Sequence, residues 1–281
     1  MKVQAVLAFL AASMTIASCG SPPACTCITA HFAPNLTGNW QIQSNVTAGT
    51  VPVTGIVLFG ALESTGYQVS GTFRFTNLSQ PTTCGLNQTV TVSGIVDSSN
   101  NLALTSAQLA NGNTIKIALA ITRAEPPYSG TGAIEVDGAS CAFPSAASIG
   151  EEITSASGTY SGTLSPGTLV SPGTGTPATA SLLLNQSASP TADGQFAATG
   201  TFNYAIGTCL GSVSLGGVVS GVGVTLSSAS GSPNNPQVVS FVGTVTPSAA
   251  AISAGLLQFA PAPCSTDPTS TAIYSGQLNH Q

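Results

Sequence analysis

Charge is scarce in this chain. Of its 281 residues, 5% are charged, four Lys+Arg against nine Asp+Glu, for a formal net charge of −5; a globular domain usually carries about 25%. Lys2 aside, the cations are Arg74, Lys116 and Arg123. Three cations cannot neutralise a run of phosphates, so nucleic acid is excluded as a partner. With 42% of residues hydrophobic, the shortage of charge also excludes a disordered chain. Histidine is scarcer still: His31 and His280 lie outside any expected core, which removes the usual general base of a Ser-His-Asp or Cys-His device. No G-x-S-x-G elbow, H-E-x-x-H, P-loop or dinucleotide fingerprint occurs. Glu, Lys and Arg, which favour helices, are few, and no long stretch repeats with helical period.

What remains reads as strands. Tyr67, Val69, Phe73 and Phe75 alternate with polar neighbours, as do Ile115, Ile117, Leu119 and Ile121, and Phe196, Ala198, Phe202 and Tyr204. Period-2 alternation puts one face in a core and the other in water. Turn signals separate the runs: Ser98-Ser99-Asn100-Asn101, Asn111-Gly112-Asn113 and Asp193-Gly194. Many short, evenly spaced strands predict an all-β protein of antiparallel barrels or sandwiches.

The N-terminus has a different character. Met1-Lys2 is a short positive start and Val3 to Ile16 is mostly apolar, the length of a signal-peptide core and too short to span a bilayer. Ile16-Ala17-Ser18-Cys19 follows and resembles the lipobox of bacterial lipoproteins. The resemblance implies cleavage before Cys19, diacylglycerol on its sulfur and acylation of the new amino group, hence a partner in the membrane through a stable multi-chain anchor. Gly20 stands where, in such lipoproteins, Asp favours inner-membrane retention, so the resemblance implies the outer membrane. Residues 1–18 are then a signal peptide, and 19–35, Pro-rich and aperiodic, a tether.

Beyond residue 36 the two halves repeat. Gly38-Asn39-Trp40 matches Gly158-Thr159-Tyr160, Gly71-Thr72-Phe73 matches Gly200-Thr201-Phe202, and Leu102 to Ser106 matches Val224 to Ser228, at offsets of 120 to 129 residues. Two tandem β domains from an internal duplication are expected, over 36–156 and 157–281, although Gly158 to Leu164 also suits the last strand of the first half. Cys84 and Cys141 match Cys209 and Cys264, and one disulfide within each domain is expected in an oxidising compartment. Cys25 and Cys27 remain in the tether; two thiolates are too few for a structural zinc site, and no metal or other cofactor is expected. Leu36-Thr37-Gly38-Asn39-Trp40 resembles the G-x-W opening of lipocalin-like and avidin-like barrels. Biotin binding is not implied, because avidin pockets use several tryptophans and this chain has one. Trp40 is expected in a core.

Carboxylates are the remaining candidates for chemistry. Glu135 and Asp137 share a strand face with Cα atoms roughly 7 Å apart, within the range glycosidases use. Ile134 and Val136 alternate with them, and the second half has Gln258 and Ala260 at the matching places, so a solvated face is expected. Glu151-Glu152 is expected in a solvated turn. No catalytic residue is expected. The expected role is a non-catalytic binding module for a small apolar ligand or a glycan; the alternative is a structural or interaction protein of the cell envelope, with an enzyme third.

Overall fold

A strand with one apolar face needs both a core for that face and partners for its edges. The computed structural model, which describes residues 33–48, 51–77, 88–109, 112–138, 143–167, 175–228 and 237–281, supplies both. One closed antiparallel barrel contains β1 (Gly38–Ala48), β2 (Val51–Thr65), β3 (Gln68–Asn77), β4 (Gln88–Val96), β5 (Asn101–Ser106), β6 (Thr114–Ile121), β7 (Ser129–Asp137) and β8 (Phe143–Ile153). A second contains β9 (Gly158–Pro166), β10 (Ala178–Pro190), β11 (Phe196–Ile206), β12 (Cys209–Ser220), β13 (Gly223–Ser227), β14 (Val238–Val245), β15 (Ala251–Ala260) and β16 (Ala272–His280). Sequential strands pair throughout, and closure comes from β1 with β8 and from β9 with β16. Of the two expected architectures, these are barrels. Gly158 to Leu164, able by sequence to end one half or begin the other, pairs with β10 and β16.

Among the described residues, the interiors are closely packed. Trp40, Ile42, Ile56, Leu58, Phe73 and Phe75 in the first barrel are 0% exposed, as are Tyr160, Leu182, Phe202, Phe241, Phe259 and Tyr274 in the second. A side chain with no accessible surface borders no water-sized void, so neither ring of residues lines a hollow. The outward positions are largely Ser, Thr, Asn, Gln and Ala, the reverse of a transmembrane barrel, whose apolar side chains face lipid.

The repeat is visible in hydrogen bonds as well as in strand order. Trp40 Nε1 donates to the Leu36 carbonyl at 2.8 Å, and Tyr160 Oη donates to the Ala156 carbonyl at 3.0 Å, both buried and both four residues upstream. Ser106 Oγ accepts from Ile115 N at 2.8 Å, and Ser228 Oγ accepts from Val239 N at 2.9 Å. In register, Trp40 lies beside Gly60 and Gly60 beside Phe73, whereas Tyr160 lies beside Leu182 and Leu182 beside Phe202. The larger ring is matched with the smallest neighbour, which keeps the packed volume of the two layers similar. Cys209 and Cys264 form a disulfide with Cα atoms 6.0 Å apart, joining the start of β12 to the segment before β16. Cys84 and Cys141 lie outside the described residues, as do Cys19, Cys25, Cys27 and His31.

Candidate functional site

The pair singled out by sequence, Glu135 and Asp137, stands on the outward face of β7, with Lys116 of β6 between them: Lys116 Nζ is 2.9 Å from Asp137 Oδ2 and 3.8 Å from Glu135 Oε1. All three side chains are 43% or more exposed. The Asp137 hydrogen bond, followed by its charge and that of Glu135, raises the Lys116 pKa. This is a solvated charge cluster, and none of its three side chains lines the crevices described below.

Glu151-Glu152 is not the expected turn; both residues lie in β8. Glu152 pairs with Trp40 across the β1–β8 seam and so takes the inward parity at the mouth of the barrel. There its Oε2 accepts from Tyr128 N at 2.8 Å while its own N donates to the Tyr128 carbonyl at 2.8 Å. Ile153, of outward parity, is nonetheless 2% exposed because the second barrel covers it. The misreading has that physical origin: the end of β8 turns its acid to the rim and its isoleucine to the neighbouring domain.

The most constructed part of the surface is this junction. One hairpin tip of the second barrel sits on outward residues of β1 and β2 and another on β2 to β4, and the buried cluster of the second barrel runs on into Ala61 and Ile153 of the first. Asn39, 3% exposed, acts as a peptide mimic: its Nδ2 donates to the Gly221 carbonyl at 2.9 Å and its Oδ1 accepts from Gly221 N at 3.1 Å, across 182 residues of sequence. Val222 N donates to Gln41 Oε1 at 3.2 Å. At the other tip, Thr89 Oγ1 donates to Asp193 Oδ1 at 3.2 Å. Gly221 has φ 55° and Gly194 φ 71°, left-handed values that allow tight turns and that side chains disfavour. In the linker, Thr154 N donates to the Pro247 carbonyl at 2.8 Å. Asn39 has Thr159 as its counterpart in the repeat, which is exposed, so the clasp belongs to one barrel only.

Three crevices lie along the junction among the described residues; one, about 280 Å³, is bounded by Glu63, Ser70 and Thr72 of the first barrel and by Pro190 of the second, and the other two hold the polar groups of interest. The first of these two, about 360 Å³, is walled by Asn39, Pro127, Glu152, Gln186 and Phe196 among others. Burial raises the Glu152 pKa, opposed by the Tyr128 N–H and by the charge of Arg123. A carboxylate whose folded pKa is raised favours folding most below its unfolded value and loses that contribution as pH rises through the folded one. Glu152→Gln is therefore expected to stabilise the protein above that range, by less than about 1 kcal/mol at this partly solvated site, and to leave it unchanged or slightly weaker near pH 4. Urea midpoints at acid and neutral pH check this; an equal change at both would contradict it.

The second crevice, about 390 Å³, is bounded by Gln41, Phe59 and Arg74 of the first barrel and by Gln195, Ser220 and Thr225 of the second. Its walls offer a guanidinium, amides and hydroxyls, which recognise oxygen-rich groups but supply no proton-transfer pair. Sequence reasoning missed Asn39, Gly221 and Arg74 because each acquires its role from a residue of the other half, and local alternation carries no such signal. No protein-family model, no curated protein and no solved structure matches this chain.

Proposed function

We propose that this chain is a lipid-tethered, non-catalytic binding module of a bacterial envelope that takes a glycan on its outer surface, at the junction of the two barrels. The observation that carries the reading is the closely packed interior of each barrel: the rings of residues that would line a ligand cavity have no accessible surface, so an apolar ligand has no space among them, and recognition moves outside. The outer surface, rich in hydroxyls and amides and poor in charge, suits a polar, neutral or weakly charged polymer. The lipobox resemblance at Cys19 and the aperiodic stretch that follows support a tethered placement. A second reading, a structural or interaction protein of the envelope, draws on apolar residues exposed on the second barrel, Leu210 at 76% and Leu183 and Val242 at 44% each.

Native mass spectrometry of the unlipidated mature chain, made in its own host's periplasm, tests the proposal together with a glycan array. The expected result is a native mass equal to that of the bare chain, with saturable binding to envelope-type oligosaccharides. A co-purified apolar molecule released on denaturation would overturn the surface site, and a blank array would overturn the binding role in favour of the second reading. Cys19→Ala is expected to free the protein from membranes; retention after a salt wash would overturn the tether.

A further inference from the structure

The crevice at Arg74 has an electrostatic peculiarity in a chain with so few cations. Lys116 is held by Asp137 and Glu135, and Arg123 stands near Glu152. Arg74, by contrast, has neither ion pair nor hydrogen bond among the described residues. It is half-buried on β3, directly across from Phe59 on one side and Thr89 on the other. Asp193, whose Oδ1 accepts from Thr89, the cross-strand neighbour of Arg74, forms no ion pair with Arg74. A partly desolvated guanidinium with five donors and no acceptor is an unmet demand for an anion. Ser220 Oγ, at the opposite wall, is also buried without a partner.

We propose that this crevice binds the carboxylate of an acidic sugar residue, a uronic acid, within a glycan; the inference rests on the binding role proposed above and names the ligand class of that same surface. The guanidinium fork matches a carboxylate bidentately. The amide of Gln195 and the hydroxyls of Ser220 and Thr225 face the same space as Arg74 and meet sugar hydroxyls, and Phe59 gives the apolar face of the pyranose ring a surface to lie on. The volume, about 390 Å³, is within the span of small-ligand sites, roughly 300–1,000 Å³. A phosphate-bearing ligand fits less well, because one cation with no second positive group is a poor match for a doubly charged anion. The site exists only while the barrels are docked, since its two walls come from different domains.

The test is a titration of the mature chain with D-glucuronate and, in parallel, with D-glucose and glycerol phosphate, followed by NMR of the Arg74 side-chain Nε–H and the backbone amides of Gln195 and Ser220. The expected result is a saturable shift with glucuronate alone, weakened at least about tenfold by Arg74→Gln, partly restored by Arg74→Lys, unaffected by Lys116→Gln and reduced by salt. Equal shifts with glucose, a response to glucuronate that survives Arg74→Gln, or a stronger response to glycerol phosphate would each overturn the proposal. A neutral oligosaccharide that binds equally well to Arg74→Gln would also refute it while leaving the broader glycan-binding role intact. If Arg74→Gln were misfolded, unchanged amide spectra away from the junction would be absent, and Arg74→Lys with its salt dependence then decides.

Discussion

Trp40→Ala is expected to lower the unfolding free energy of the first barrel by about 3–5 kcal/mol, the range for removing a large buried aromatic. Trp40 is 0% exposed and heads the largest fully buried side chains. Two features place the loss at the upper end. Its neighbour across β2 is Gly60, which has no side chain to relax into the vacated space, so the cavity cannot collapse. The Leu36 carbonyl also loses its buried donor, and an orphaned acceptor costs about 1–3 kcal/mol more where water cannot reach it. Tyr160→Ala in the second barrel is expected to cost less, because Leu182 flanks Tyr160 and can shift. The milder Tyr160→Phe, which removes only the hydroxyl bonded to Ala156, is expected to cost about 1 kcal/mol. Because Trp40 is the single tryptophan, unfolding is best followed by circular dichroism and by amide hydrogen exchange. Protection should fall most in β1 to β8 and less in β9 to β16, which are coupled to them through the docked junction. A Trp40→Ala protein as stable as the parent would contradict a closely packed first barrel.

This asymmetry between the barrels shows what was legible in the sequence. The strands were, because alternation such as Ile115, Ile117, Leu119, Ile121 survives directly as the buried pattern of β6. The duplication was, because Gly38-Asn39-Trp40 and Gly158-Thr159-Tyr160 keep the same parity and the same carbonyl four residues upstream. Closure was not: whether β1 meets β8 or leaves an edge depends on strand tilt and stagger, and both outcomes need the same apolar and polar faces. Glu152, expected in a solvated turn, read wrongly for the complementary reason. Its environment is set by Tyr128 at the rim and that of Ile153 beside it by the second barrel, neither of which is a neighbour in sequence. The candidate site was illegible throughout, since Arg74 and Ser220 are ordinary strand residues until the domains dock.

Asn39→Ala is expected to leave both Gly221 backbone groups without a partner in a buried contact, about 1–3 kcal/mol for each, reduced to the extent that water enters as the barrels part. Gly221→Val attacks the same contact from the other side: a Cβ there meets Gln41 Oε1 at 2.7 Å and Phe59 Cβ at 3.0 Å, and φ 55° is strained for a β-branched residue. In both variants the barrels are expected to keep their folds, because their internal ladders and cores are untouched, while the contact between them loosens. A single unfolding transition should split into two, Ile153 should gain exchange, and the radius of gyration should rise in solution scattering. The decisive observation couples stability to recognition. Arg74 stays in place in either variant, yet its crevice loses the wall made by Gln195, Ser220 and Thr225, so the response to glucuronate should vanish along with the coupled transition. If coupling were lost while binding persisted, the first barrel alone would carry the ligand and the composite site would be wrong; if neither changed, the Asn39–Gly221 pairing would not be what holds the domains together.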